Sequence, residues 1–86
     1  MAKHKVLIEK TAERDLKKLP RETFNRIGPH IAALGDDPRP AGCKKLAGAE
    51  NSWRIRVGDY RVIYEIDDPA LIVRIMRVRH RSGVYQ

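Results

Sequence analysis

The stretch WRIRVGDYRVIYEI, residues 53–66, decides how this chain folds. Two runs rich in β-branched and aromatic residues flank Gly58-Asp59, a pair typical of a two-residue hairpin loop. Such a loop fixes which residues face each other across the two strands. The predicted pairs are Val57 with Tyr60, Arg56 with Arg61, Ile55 with Val62, Arg54 with Ile63, and Trp53 with Tyr64.

The predicted hairpin has one apolar face and one cationic face, because successive side chains of a strand point to opposite sides. The apolar face collects Trp53, Ile55, Val57, Tyr60, Val62 and Tyr64. The cationic face collects Arg54, Arg56 and Arg61. Like charges directly opposite each other destabilise a hairpin, and the planar fork of arginine matches phosphate oxygens. We therefore expect an anionic partner on this face; the alternative is the solvated polar side that many antiparallel sheets have.

The segments before the hairpin predict a strand and two helices. Residues 6–8 are a short apolar run flanked by charge, which is typical of a strand. Thr11 is expected to cap a first helix that ends near Leu19, and Pro20 to lie in the first turn of a second helix that ends at Gly35. The order predicts one α+β domain over residues 1–86. It has an N-terminal strand, a helical hairpin and then an antiparallel β-meander of three to four strands.

The last predicted strand and the tail after it add further cations. LIVRIMRVRH, residues 71–80, begins apolar on both faces, as an inner strand does. The strand carries three arginines and a fourth follows it: Arg74, Arg77, Arg79 and Arg81. Arg77 and Arg79 share one parity, so one register places both beside the hairpin arginines, with Tyr85 able to fold over them. The turn at 67–70 leaves that register open.

Composition narrows the partner and the compartment. The chain has 86 residues and carries 18 Lys plus Arg against 11 Asp plus Glu, a formal charge of +7. Such a balance favours a polyanionic partner, either nucleic acid or an acidic protein. One cysteine cannot form an internal disulfide, and no apolar run is long enough for a membrane span or a secretory signal, which predicts a cytoplasmic protein. The histidines are scattered, so no metal site or cofactor is expected.

Three pieces of the sequence, in order, resemble one known family. They are KKLAG (44–48), WRIRVGDYRVIYEI (53–66) and RVRHRSGVY (77–85), behind a strand and a helical pair that end in DPRP. This pattern resembles the RelE/ParE toxin superfamily, whose fold is RelE-like (microbial RNase-like), and within it the RelE branch. The resemblance implies a type II toxin that cleaves mRNA on the ribosome without a cofactor. It also implies a RelB-like acidic antitoxin that wraps the toxin, in a hetero-oligomeric complex that binds DNA through the antitoxin.

The resemblance also assigns roles to residues of this chain. The catalytic positions it implies are Arg54, Arg56, Arg61, Arg79 and Tyr85, with His80 matching a histidine of many relatives. Lysines common at the first two positions are arginines here, and a guanidinium stays charged rather than donating a proton. Additional nucleic-acid contacts are expected from Lys44, Lys45, Arg77 and Arg81.

The chemistry implied is attack of an RNA 2′-hydroxyl on the neighbouring phosphate. The arginines would stabilise the more negative transition state, and Tyr85 is the candidate base, because nearby cations favour a phenolate. His80 and the arginines are both candidates for the acid that protonates the 5′-oxygen. Two other functions stay open: a ParE-type toxin that inhibits DNA gyrase, and a nucleic-acid-binding module without catalysis.

Overall fold

The structure is a computed structural model that describes residues 3–48 and 50–81. In chain order the elements are β1 (Lys5–Ile8), α1 (Lys10–Lys17), α2 (Arg21–Ala33), β2 (Lys44–Lys45), β3 (Ser52–Val57), β4 (Tyr60–Asp67) and β5 (Ile72–His80). The strands of this part of the chain form one sheet in the order β1-β5-β4-β3-β2. β1 runs parallel to β5 and the other pairs are antiparallel. This is the predicted α+β arrangement, with β1 added to the edge of the meander.

The hairpin of β3 and β4 has the predicted register. Val57 pairs with Tyr60, and Arg56 pairs with Arg61. Gly58 begins the turn at φ +61°, a left-handed backbone conformation that glycine adopts without a steric penalty. The buried side chains of the two strands are Ile55, Val57, Val62, Tyr64 and Ile66. The apolar face therefore forms the core side of the sheet, as expected.

The helices cover that apolar face. Ala12 of α1 and Ile27 of α2 are fully buried, and so is Tyr64 in the middle of the sheet. The hydroxyl of Tyr64 donates a hydrogen bond to the carbonyl oxygen of Pro38, at 2.7 Å, so its polar end is satisfied inside the core. None of the described helices has the length and apolar character needed to cross a membrane.

The predicted N-cap of the first helix is wrong. Glu9 occupies the N-cap position, and Thr11 lies inside α1. The Thr11 hydroxyl instead donates a hydrogen bond to the carbonyl oxygen of Met76 in β5, at 2.8 Å. The cause is tertiary, because the chain passes from β1 directly into a helix that lies along the edge of β5. The second helix begins one residue later than expected, with Pro20 at its N-cap rather than in its first turn, and continues through Pro29.

The edge of β5 changes partner halfway along the strand. β1 pairs with β5 only as far as Ile75. Beyond it, α1 takes over that edge, through Thr11 and through Asp15, whose carboxylate accepts a hydrogen bond from the Val78 amide at 2.9 Å. At the same point the β4–β5 register shifts, so that Met76 is an extra residue on the β5 side. This bulge sets which residues of β5 face β4 beyond it.

Candidate active site

Three arginines lie side by side on the sheet face that points away from the helices. Arg56 of β3 pairs with Arg61 of β4, and Arg61 pairs in turn with Arg79 of β5. Because neighbouring strands are about 4.8 Å apart, these three residues form a row about 10 Å across the sheet. We call this set the arginine row. The register left open by the sequence is therefore the one that brings Arg79 beside the hairpin.

Arg54 lies on the same face, two residues before Arg56 in β3. It pairs with Ile63 on one side and with Lys44 of β2 on the other. Lys44 and Lys45 are both exposed, but Lys45 pairs with Trp53 and has the opposite parity. The arginine row together with Arg54 is called the arginine face below. Lys44 extends its positive charge to the edge of the sheet.

Ion pairs separate the arginines of the second half into two groups. Three have a carboxylate partner: Arg74 with Glu9 at 3.8 Å, Arg77 with Asp15 at 2.8 Å, and Arg81 with Asp59 at 3.9 Å. Among residues 3–48 and 50–81, no carboxylate lies within salt-bridge distance of Arg54, Arg56, Arg61 or Arg79. The acids therefore pair with the arginines around the arginine face and leave the face itself positively charged.

Arg61, at the centre of the row, also has a buried hydrogen-bond donor that costs folding free energy. Its Nε atom is sealed from solvent, and no described residue accepts a hydrogen bond from it. A buried donor without an acceptor costs about 1–3 kcal/mol, and such atoms recur at functional sites. Arg61 also has a guanidinium on each side, on Arg56 and on Arg79. The fold thus holds an arginine with one buried, unpaired donor in a place where an anion would be stabilising.

Arg77, predicted to contact nucleic acid, is engaged inside the protein. Its Nε and one terminal nitrogen donate to the two carboxylate oxygens of Asp15, at 2.8 and 3.3 Å. Burial alone would raise the pKa of Asp15, but hydrogen bonds from Arg77 and from the Val78 amide, with the charges of Arg77 and Arg79, leave it below its usual value. The hydrogen bond to Asp15 raises the pKa of Arg77. Asp15 thereby fastens α1 to the bulge in β5.

His80 does not join the arginines. It pairs with Tyr60 across the sheet, and the two rings meet edge to face with centroids 5.1 Å apart and an interplanar angle of 86°. Both residues have the parity of Val62 and Val78, which are buried against the helices. The structure therefore places His80 on the sheet side opposite the arginine row, because adjacent residues of a strand point to opposite faces.

The end of the chain is described only as far as Arg81. Arg81 is exposed, and its amide donates a hydrogen bond to the carbonyl oxygen of Asp59 at 2.7 Å. This bond holds the residue after β5 against the hairpin turn. Tyr85, the candidate base, lies outside the described residues. Within the described part of the chain no three His, Cys, Asp or Glu side chains are grouped closely enough to hold a metal ion.

Asp15 is the structural residue that sequence reasoning missed. It lies on a charged helix, and its partners Arg77 and Val78 are 62 and 63 positions away in the sequence. No local spacing rule connects residues that far apart. Ala33 and Asp37, which line the cavity described below, were missed for the same reason.

Comparisons with known proteins show the family to which the chain belongs. Residues 6–85 match the family model described as "ParE toxin of type II toxin-antitoxin system, parDE". The chain belongs to this toxin family. Among curated relatives, Toxin RelE3 of Methanocaldococcus jannaschii is 36% identical over 85 residues, with 94% of each chain covered. Toxin RelG of Mycobacterium tuberculosis is 35% identical over 79 residues, with 88% of each chain covered. The resemblance to the RelE/ParE superfamily is thus confirmed.

Solved structures confirm the fold class. The toxin–antitoxin complex RelBE2 of Mycobacterium tuberculosis contains a chain with a TM-score of 0.81 and 33% identity, and the match covers 92% of this chain and 99% of that one. The archaeal RelE–RelB complex of Pyrococcus horikoshii gives a TM-score of 0.81 at 29% identity, covering 95% and 98%. The helical hairpin and the sheet described above are therefore those of RelE structures.

Proposed function

We propose that this chain is the toxin of a type II toxin–antitoxin system and that it cleaves mRNA on the ribosome. The observation that carries the proposal is the arginine row: three adjacent guanidinium groups without described carboxylate partners, at the centre of the sheet face opposite the helices. Membership of the toxin family and relatives named RelE support the same conclusion. The reaction takes place in the cytoplasm, where ribosomes are found.

The arginine face suits the charge that develops when RNA is cut by its own 2′-hydroxyl. That oxygen forms a bond to phosphorus, the bond from phosphorus to the 5′-oxygen breaks, and the phosphorane between them carries more negative charge than the starting diester. Preorganised donors aimed at such a charge accelerate the reaction, and removing one of them costs about 10²–10³ in rate. Arg61 is the central donor, with Arg56 and Arg79 on either side of it and Arg54 further along β3.

Proton transfer requires two further groups. We assign the base to Tyr85, which follows Arg79 by six positions in the sequence. A phenol has an ordinary pKa of about 10, and neighbouring cations favour its ionised form. We leave His80 out of the proposed machinery, because its pairing with Tyr60 gives it the parity of the helix side of the sheet. Guanidinium groups are too weakly acidic to give up a proton readily, so we propose that water protonates the 5′-oxygen.

The partner that silences such a toxin is an acidic antitoxin. The relatives of known structure from Mycobacterium tuberculosis and Pyrococcus horikoshii are complexes of RelE with RelB. This chain, with a formal charge of +7, presents a basic surface to which an acidic segment is attracted. We therefore propose a cognate RelB-like antitoxin, encoded nearby, that co-purifies with the chain in a hetero-oligomer and carries the DNA-binding activity of the complex.

The test compares cleavage of mRNA on programmed ribosomes by the wild type, Arg61→Ala and Tyr85→Phe. Primer extension should show cuts within ribosome-bound codons for the wild type and at least a hundredfold less cutting for both variants. Arg14→Ala, a change at an exposed position of α1 outside the sheet, is the matched control and should cut normally. Full cleavage by both site variants would overturn the mechanism.

A ParE-type activity on DNA gyrase is the second candidate, because the matching family model carries the ParE name. It predicts that the wild type produces no cut in ribosome-bound mRNA and that expression causes DNA damage before translation stops. Cleavage products that depend on Arg61 would decide against it. A nucleic-acid-binding module without catalysis would instead give salt-sensitive binding and no product.

A further inference from the structure

A cavity of about 620 Å³ opens beside the arginine face, at the edge of β3. It lies between the end of α2, the loop from Asp37 to Gly42 and the β3 segment from Arg54 to Arg56. β2 pairs with β3 only at Trp53 and Arg54, so within the described residues no strand covers the β3 edge beyond that point. The cavity therefore occupies the place that a longer edge strand would fill.

The lining of the cavity combines positive charge with an apolar floor. Three basic residues, Lys44, Arg54 and Arg56, belong to the lining, against the single acidic residue Asp37. The apolar lining comes from Ala33, Leu34, Pro40 and Ile55. Sites for small molecules have volumes of about 300–1,000 Å³, mostly apolar walls and a few convergent polar groups. An anion attached to a flat apolar body fits this description, and a nucleotide has that chemistry.

We infer that the cavity binds the nucleotide next to the scissile phosphate of the RNA. The inference rests on the proposed function and extends it to a specific subsite. Arg56 belongs both to the arginine row and to the cavity lining, so the two sites meet at this residue. When the scissile phosphate of an RNA strand binds Arg61, the neighbouring phosphate lies near Arg56 and Lys44. The base of that neighbouring nucleotide then packs on Ala33 and Ile55.

Asp37 gives this subsite a preference among bases. One of its carboxylate oxygens accepts a hydrogen bond from the Arg39 amide at 3.2 Å, and a carboxylate has about four acceptor positions in all. Cytosine presents an amino group, which a carboxylate accepts. Uracil has a carbonyl oxygen at that position, and two oxygens repel each other. The subsite should therefore select cytosine over uracil, two bases of the same size.

Binding of mononucleotides to the purified full-length chain tests the cavity directly. Cytidine 5′-monophosphate should shift the backbone amide NMR signals of Gly42, Lys44 and Arg56, and it should bind at least fivefold more tightly than uridine 5′-monophosphate. Ala33→Phe fills the cavity from an exposed helix position and should abolish both titrations. Ala70→Phe, the same change at an exposed turn residue that does not line the cavity, should leave them intact.

Asp37→Asn separates base selection from binding. The amide keeps an acceptor for the Arg39 amide but adds a donor, so the preference for cytidine should fall below twofold while uridine gains affinity. The variant also keeps the inference testable if Ala33→Phe fails to fold. Unchanged selectivity in Asp37→Asn, or signal shifts confined to Arg61 and Arg79, would overturn the assignment of the cavity.

Cleavage mapping distinguishes failure of this inference from failure of the proposed function. If the wild type cuts ribosome-bound mRNA and Ala33→Phe cuts at the same positions with the same rate, the subsite is wrong and the endonuclease stands. If cytidine monophosphate binds the cavity but no chain cuts mRNA, the nucleotide site stands and the endonuclease is wrong. Agreement requires a slower Ala33→Phe and altered cutting positions in Asp37→Asn.

Discussion

Replacing Arg61 by methionine should stabilise the fold while it abolishes cleavage. Methionine keeps an unbranched stem of similar length and removes both the charge and the buried Nε donor. Arg61 has a like charge on each side, on Arg56 and Arg79. Its Nε atom has no acceptor among the described residues. The same side chain is thus unfavourable for folding and suited to binding a phosphate.

The size of the effect follows from two contributions. Each cross-strand pair of like charges costs about 0.2–1 kcal/mol, and Arg61 has two such neighbours. The unsatisfied donor adds about 1–3 kcal/mol. Because the rest of the side chain is partly exposed, we expect the lower part of the combined range, a gain of about 1–3 kcal/mol. For a domain of this size, each kcal/mol raises the melting temperature by about 4–8 °C.

Urea unfolding of the wild type and Arg61→Met at low and high salt measures this gain. The stabilisation should shrink as salt rises, because the Debye length falls from about 10 Å at 0.1 M to about 3 Å at 1 M. Arg21→Met, an exposed change at the start of α2, is the control and should stay within about 0.5 kcal/mol of the wild type. An Arg61→Met protein less stable than the wild type at low salt would refute the account of a strained, unpaired row.

Three further predictions concern the surroundings of the row. Asp15→Ala should cost about 2–4 kcal/mol in urea unfolding, because it leaves Arg77 and the strand amide without their acceptor, whereas Asp15→Asn should cost about half as much. Since the pKa of Asp15 is lowered in the folded state, its contribution is present above about pH 4 and is lost as the pH falls through the folded value. Asp15→Asn should therefore show a flatter loss of stability between pH 5 and pH 2; an equally steep loss would contradict the pairing. His80→Gln should keep ribosome-dependent cleavage within about threefold of the wild type, while Arg79→Ala loses about 10²–10³ in rate, and equal losses would return His80 to the site. Gly58→Ala should lower stability by about 1–2 kcal/mol in thermal unfolding, because its backbone has φ +61°; an unchanged melting temperature would mean that the turn rearranges freely.

The sequence predicted the parts of the site that depend on local rules. A two-residue turn at Gly58 determined the pairing of Arg56 with Arg61, since only one register satisfies both the turn and the apolar face. The position of Arg79 could not be predicted from local rules alone. It depends on the bulge at Met76, which lies where β1 ends and α1 takes over the edge of β5.

Contacts between distant segments account for the remaining differences. Threonine is a residue type that often caps helices, but the Thr11 hydroxyl donates its hydrogen bond to the carbonyl oxygen of Met76, which is 65 positions away. His80 could be assigned to a face only after the register of β5 was known, because one residue of shift moves a side chain to the other side of a sheet. A resemblance to a family aligns residues along the chain and does not settle which face of a strand they occupy.

The distribution of acids explains how so basic a chain folds without losing its site. Glu9, Asp15 and Asp59 each pair with an arginine of β5 or of the segment after it, and each of these pairs lies beside the row rather than in it. A carboxylate within the row would gain more Coulomb energy than any of these, because three cations meet there. It would also compete with the phosphate. The repulsion that lowers stability in the row is thus the same feature that gives the row its affinity for an anion. An acidic antitoxin segment bound over the row should block RNA and also stabilise the toxin. That stabilisation should decrease as salt is added.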